Sequence, residues 1–429
     1  MIIKEIQKRP FIRPLFIWIT GILLQAYFDC RIVSLFLILF PLLIILFSYI
    51  AVISGTEKSH CNYELRWQWG AVFLLLLLSF SIQRTAYWQE RDERPVFSLV
   101  SELAERGQER LLKPFDILHL SEEEKSVLAT ITLGHRKGMD QEVKRSFSVT
   151  GVAHLLAVSG FHVAIVCGFL SLFLSFLPKS AFYRWLKYLL TICLLWCFVV
   201  ITGFAASAIR AGLMLTLYLT GRTLRRRTDG YNTLAASAFC MLVFDPFYLF
   251  DIGFQLSYLA VLSILYLQPR LQGLIEVRNP LIAAPWSWIT VTLAAQAGTT
   301  LLCLYYFRQF SLVFLCTNLP LTFLATFLIP AGLIWVLLPG NFPGYEYLQL
   351  FVEKMTHALL QIVEAFSRVP GATFSFQIDL LLTILGYGII LFFLLFLQTR
   401  RTRFLFVSLL LLLFLLFDLL IERFLLCRT

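Results

Sequence analysis

The stretch Gly151–Cys167, GVAHLLAVSGFHVAIVC, is apolar enough for a membrane span, yet it carries two histidines and a serine. Polar side chains are costly at the bilayer centre, so those kept there face a cavity or a partner. On an ideal helix each residue advances roughly 100°, which places His154, Ser159 and His162 within a sector of about 140°. The expectation is that something passes, or reacts, along this face. Gly151, Gly160 and Gly168 would then allow close backbone approach or local unwinding.

The rest of the 429 residues fits a membrane setting: 59% are hydrophobic, 15% aromatic and only 14% charged, with a mean hydropathy of +0.79. A soluble domain carries about 25% charged residues. Apolar runs approaching the ~20 residues of a span occur near residues 11–28, 32–54, 68–82, 151–177, 188–203, 207–221, 231–247, 252–268, 286–307, 311–338, 380–399 and 404–421. The basic start, Lys4, Lys8, Arg9 and Arg13 before FIWITGILLQAYF, is read as an uncleaved anchor, because no small-residue cleavage site follows it. Nine cysteines are scattered without a C-x-x-C pair and read as buried free thiols; Cys193 and Cys197 share a helical face without further ligands for a metal.

The net charge of +10 is unevenly spread. From Arg84 to Arg145 eleven basic and twelve acidic residues nearly cancel, so the remainder carries +11. Short basic stretches flank the spans: the N-terminal tail, Lys179 with Arg184 and Lys187, Arg222 with Arg225, Arg226 and Arg227, and Arg400 with Arg401 and Arg403. The positive-inside rule makes these cytoplasmic and puts residues 83–150 outside. Parity fails after Arg308. The run 311–338, with Asn318, Pro320 and Pro330, is expected to be a broken or re-entrant helix. Residues 347–369, interrupted by Glu353, Lys354, His357, Gln361 and Glu364, are expected to form an amphipathic helix in the interface or along a pore. One of these two segments must depart from a simple crossing count to keep Arg400 inside. The outer segment reads as helical, with apolar residues three and four apart in SLVSELAERGQERLL and SEEEKSVLATITLG, and with Ser121 and Glu124 spaced as a capping box.

HLLAVSGFHV at 154–163 resembles the signature of the ComEC-type competence proteins, which conduct transforming DNA across the bacterial cytoplasmic membrane. Other stretches resemble the same family in the same order: EKSVLATITLGHRKGMDQEVKRSFSVTG at 124–151, ASAIRAGLM at 206–214, DPFYLFDIGFQLSYLAVL at 245–262 and YYFRQFSLVFLCTNLPL at 305–321. The resemblance covers roughly residues 100–340. Pro320 follows Asn318 more closely than the family pattern, and TTLLC at 299–303 lacks a proline often present there. Longer members carry a β-barrel domain and a metallo-β-lactamase-like nuclease; the sequence here reads as a short form without either, its six histidines showing no H-x-H pair.

Individual residues admit more than one role. Ser159 and His162 at i, i+3 could belong to a serine hydrolase, but no G-x-S-x-G elbow exists; they could also hydrogen-bond neighbouring helices or line a translocation path. Arg210 lies deep in an apolar run, where a charge costs on the order of 3 kcal/mol. Asp251 is its expected ion-pair partner, with Gln255 one turn later; the pair is either structural or leaves the cation facing phosphate. RTLRRR at 222–227 is chiefly a topology marker. Phe161, Phe204, Phe254, Tyr258, Tyr305 and Tyr306 could stack bases, each worth about 1–3 kcal/mol, although most such rings face lipid or core.

The expected fold is therefore all-α, a polytopic membrane bundle of about 10–13 spans with a small helical extracytoplasmic segment. Its expected divisions are anchor helices 1–82, the outer segment 83–150, a competence-type core 151–340, an amphipathic helix 341–370 and C-terminal helices 371–429. What the resemblance implies is a channel for single-stranded DNA in the bacterial inner membrane, not an enzyme, with no cofactor or metal. Its path would be lined by His154, Ser159, Gly160, His162, Arg210, Asp251, Gln255 and Asn318. A secondary transporter of a small solute is the main alternative. No Gly-Lys dipeptide exists to start an ATP-binding loop, so a separate DNA receptor, a cytoplasmic motor or single-strand binder, and a separate nuclease are expected partners.

Overall fold

The computed structural model describes residues 9–32, 34, 38–40, 43–45, 66–90, 98–136 and 138–426. The expected span at 32–54 lies largely outside them. The described helices are α1 (Ile12–Phe28), α2 (Arg66–Gln89), α3 (Ser98–Leu112), α4 (Glu122–Leu133), α5 (Gln141–Val149), α6 (Gly160–Phe173), α7 (Ala181–Ile201), α8 (Ala206–Thr223), α9 (Gly230–Phe244), α10 (Ile252–Gln272), α11 (Pro280–Phe307), α12 (Phe314–Leu337), α13 (Tyr345–Ser367), α14 (Leu380–Thr399) and α15 (Thr402–Leu426), with strands β1 (Gln309–Ser311) and β2 (Thr373–Ser375). Six of these helices are long and apolar enough to cross a membrane, and four more are apolar but shorter. The protein is a multi-pass, helical membrane protein of the kind that occupies the bacterial inner membrane. Its chain divides into two compact units, residues 1–138, 154–258 and 325–356 forming one and residues 139–153, 259–324 and 357–429 the other.

In the first unit, α1 and α2 approach closely because Gly21 faces Ser81: a Cβ on the glycine would lie 2.6 Å from Ser81 Cβ. The serine hydroxyl donates to Trp18 O. The second unit repeats the device between α10 and α11, where Ser263 Oγ donates to Ala294 O and a Cβ on Gly298 would lie 2.4 Å from Ser263 Cβ. Small residues let backbones meet where lipid removes any hydrophobic drive between helices.

The basic stretches of the first unit gather at one end. Arg9 pairs with Asp229 at 3.1 Å and lies over the Tyr231 ring. Phe11 N donates to Asn232 Oδ1, and Tyr188 Oη meets Thr220 Oγ1 at 2.8 Å. Arg9, the start of α7 and the RTLRRR loop thus share one end. At the other, Arg84 donates to the carbonyls of Val243 and Phe244 that close α9, and Gln25 near the end of α1 donates to Gln89 at the end of α2.

α4 is more enclosed than its sequence indicates. The Ser121–Glu124 capping box forms in both directions, but every residue from Val127 to Leu133 is buried. The two threonines in this run satisfy their hydroxyls within the chain, Thr130 on Ser126 O and His135 O and Thr132 on Leu128 O. α12 packs here: Gly332 leaves room for Thr132, and Trp335 meets Phe115 edge to face with centroids 5.6 Å apart. The amphipathic α13 forms as expected, and its Glu353 accepts the His119 backbone N–H at 2.9 Å.

Two expectations are corrected downstream. Residues 314–337 form one continuous helix rather than a broken one; Pro320 and Pro330 are accommodated, as prolines are in membrane helices whose freed carbonyls find other partners. The parity problem is resolved by a short ribbon that strand alternation could not reveal. β1 pairs antiparallel with β2 in the register Gln309↔Ser375 and Ser311↔Thr373. The chain between them therefore returns to the end it left, with no net crossing. α11 and α14 run from this ribbon side by side, Tyr387 Oη donating to Gly298 O at 2.8 Å and accepting Leu302 N–H at 3.2 Å. Their far ends place Arg278 and Arg400 at one end of the unit, as the positive-inside rule requires. The cysteines also depart from expectation: Cys167 is buried, whereas Cys193, Cys197, Cys240 and Cys316 face outward from their helices.

Candidate functional site

The opening stretch is not one helix. α5 ends at Val149, and Gly151 takes a left-handed conformation (φ 77°). A Cβ there would lie 2.8 Å from Ser311 Cβ, so this glycine serves both its backbone angle and a close approach. A single 3-10 turn, Ala153–Leu155, follows, and α6 starts only at Gly160. The predicted sector of three polar residues is therefore broken: His154 belongs to the short turn and is exposed, whereas Ser159 and His162 belong to the start of α6. Of the other two glycines, Gly160 is in ordinary contact with Ala211 Cβ at 3.5 Å and Gly168 approaches nothing within 4 Å.

Ser159 is extended (φ −107°, ψ 171°) and turns its chain into α6. His162 is fully buried three residues later. Its Nδ1 accepts the Ser159 backbone N–H at 3.2 Å and lies 3.0 Å from Ser159 Oγ. An acceptor Nδ1 places the ring proton of a neutral imidazole on Nε2, and Nε2 is buried without a hydrogen-bond partner. Serine and histidine thus act first as an N-terminal cap, with the imidazole in the place usually taken by Glu or Gln. Replacing His162 with leucine is expected to destabilise the solubilised protein by about 1–2 kcal/mol, the range of a lost cap, and Ser159→Ala by less because the backbone bond survives. Thermal melting in detergent measures both.

α6 starts against α8. Ser207 Oγ donates to Val158 O, and Gly134 packs on Val158 and on the Thr202 carbonyl. One residue short of the Gly160 contact on α8 stands Arg210, whose side chain is only 4% exposed. Asp251 is its ion-pair partner, as its charge predicted, but at 3.7 Å and without a hydrogen bond. The Asp251 carboxylate is engaged elsewhere: Oδ1 accepts Phe254 N–H at 2.7 Å and caps α10. Arg210 Nε and Nη1 are consequently buried with no hydrogen-bond partner. Gly253 fits beneath the guanidinium, where a Cβ would come 3.2 Å from Nη2.

Gln255 does not join the Arg210 contact through its amide N–H, which donates to Leu249 O at 3.0 Å. Tyr258, one of the aromatics singled out above, donates to Ser237 Oγ at 3.2 Å and packs against Phe254 in a tilted arrangement with centroids 4.3 Å apart. It adjoins the apolar cluster of Trp18, Ile22, Met241, Leu242 and Phe254, which backs the site. Asn318 belongs to the second unit, half-buried on α12 beside Thr317, whose hydroxyl donates to Thr150 O at 2.8 Å. Gly253 and Val158 escaped the sequence reading, although a glycine two residues after an N-capping aspartate was the available signal for the first. Among the described residues no group of three His, Cys, Asp or Glu side chains is placed to hold a metal ion.

Comparison with known proteins places this geometry. Residues 131–401 match the family model described as Competence protein. The chain is 31% identical over 273 residues to ComE operon protein 3 of Bacillus subtilis (strain 168), covering 61% of this chain and 34% of that protein. It is 33% identical over 138 residues to an uncharacterized protein of Aquifex aeolicus (strain VF5), 32% of each chain. It is also 25% identical over 149 residues to the uncharacterized protein YcaI of Escherichia coli (strain K12), covering 33% of this chain and 19% of that one. The chain thus spans about a third or less of the length of these relatives. No solved structure matches. Since the family model takes in more than half of the chain, including α6, Arg210 and Asp251, the protein belongs to the Competence protein family.

Proposed function

We propose that the protein is a conduit that admits single-stranded DNA across the bacterial cytoplasmic membrane during natural transformation, with the start of α6, α8 around Arg210 and the start of α10 beside the path. The observation that carries this reading is the Arg210 guanidinium: a buried cation whose Nε and Nη1 make no hydrogen bond, inside the family region. A polyanion is the cargo such a group serves. The residues act by binding and positioning, not by bond chemistry, so a separate receptor, a motor or single-strand binder and a nuclease complete the process. A competence assay on a strain deleted for the gene tests the reading: transformation should fall to background and return with the plasmid-borne gene, and a deletion strain that transforms like its parent would reject it.

The reading includes an orientation. The basic stretches at one end of the first unit are taken as cytoplasmic, so the Arg210–Asp251 end, the capping of α10 and residues 83–150 are extracytoplasmic. Glu122 opens α4 with a side chain 91% exposed. A cysteine replacing it is expected to react with an impermeant maleimide on intact cells. Labelling only after lysis would reverse the orientation.

A further inference from the structure

The Arg210 guanidinium and the first turn of α10 form an anion-binding arrangement of a particular kind. The first N–H groups of a helix lack intrahelical acceptors and carry the positive end of its dipole. α10 has 21 residues and brings that end to Gly253, whose missing Cβ lets Arg210 Nη2 and Asp251 Oδ1 lie against the backbone, each 3.2 Å from where a Cβ would stand. Arg210 adds a second, independent pull: a side chain 4% exposed, with Nε and Nη1 buried and making no hydrogen bond. Asp251 stands at the entrance, its side chain 48% exposed, close enough to neutralise Arg210 yet bonded to Phe254 N–H instead. Tyr248 and Tyr258 are the other ionisable groups close to the guanidinium.

We infer that this is a binding site for one phosphate group, and that Asp251 is a built-in competitor holding the site until a phosphate replaces it beside Arg210. The inference rests on the conduit reading for the source of the phosphate, a strand of DNA, but not for the chemistry of the site. A guanidinium presents a planar fork matched to phosphate oxygens, and helix N-termini with an uncluttered glycine backbone accept the same group. The carboxylate is what keeps Arg210 from being an unpaired buried charge.

Melting shifts and binding of the purified full chain in detergent test this with three probes: a short oligothymidylate, the same strand with uncharged methylphosphonate linkages, and inorganic phosphate. The phosphodiester strand and inorganic phosphate should both stabilise the protein, and the uncharged strand should not. Asp251→Asn is the decisive variant. Asparagine caps a helix as well as aspartate does, so α10 keeps its start while the competing charge is gone, and phosphodiester binding should tighten about tenfold. Gly253→Ala adds a methyl against Nη2 at a helical position where alanine favours the helix; it should weaken binding without lowering the melting temperature. Arg210→Met should weaken binding at least ~10-fold, whereas Arg225→Met, in the exposed basic loop, should leave it unchanged. A merely structural ion pair predicts that Asp251→Asn destabilises the protein and leaves binding the same or weaker, which would overturn the proposal, as would equal binding of the uncharged strand. Arg210-dependent binding of inorganic phosphate alone would keep the site and reject the strand as its source, separating this failure from that of the conduit reading.

Discussion

Arg210→Met is expected to reduce transformation about 100-fold at unchanged membrane abundance, since two charge-assisted hydrogen bonds to a passing phosphate are worth roughly 3 kcal/mol together. The fold should tolerate the change: methionine fills the apolar space, and the abandoned Asp251 is half exposed and retains its bond to Phe254 N–H. Arg210→Lys should recover only part of the loss, because an ammonium on a flexible stem cannot reproduce the guanidinium fork. Transformant counts normalised to membrane-fraction immunoblots make the measurement. Parental counts with Arg210→Met would remove the residue from the path.

The second large effect falls on the backbone. Gly151→Val should abolish accumulation of folded protein, for two reasons that add. The position has φ 77°, which a β-branched residue adopts only under strain, and the new side chain would begin 2.8 Å from Ser311 Cβ and 3.0 Å from Phe314 Cβ. Left-handed backbone costs about 1–2 kcal/mol and overpacking typically about 1–3 kcal/mol, together a large part of the stability of a membrane bundle. Gly160→Ala should be nearly neutral, as its Cβ would merely touch Ala211. Gly168→Ala should raise the melting temperature, because the position is helical with open space around it and alanine is favoured there by about 0.8–1 kcal/mol. Three glycines within one apolar stretch thus have three different outcomes, and melting curves of the solubilised variants distinguish them.

Those glycines also show where sequence and structure part. Apolar periodicity treats 151–177 as one span because a buried turn and a buried helix are equally apolar. Only the left-handed glycine and the serine three residues before histidine mark the break. The same limit hid α4: its capping box was readable from Ser121 and Glu124, but its all-round burial depends on α12 folding over it, with Gly332 making space for Thr132. Pro320 and Pro330 pointed to a broken helix where the chain stays helical, since the proline rule describes helices that lose their backbone partners to water. The β ribbon, three residues per strand, is too short for any alternation to register. Charges in apolar surroundings were the most legible signal. Arg210 and Asp251 were paired from cost alone, because a span tolerates such a group only beside its opposite. What charge could not reveal was the separation of 3.7 Å and the diversion of the carboxylate to Phe254, which turn an ion pair into an incompletely satisfied cation.

The claim that the chain is a DNA conduit is tested most directly by reconstituting the purified protein in lipid vesicles and measuring entry of end-labelled single-stranded DNA as label protected from added nuclease. The reading predicts protected, full-length strands inside wild-type vesicles with no ATP consumed, and a marked loss of protection with Arg210→Met. Oriented, intact protein that protects no DNA while its vesicles accumulate a small solute would contradict it and make the protein a solute transporter.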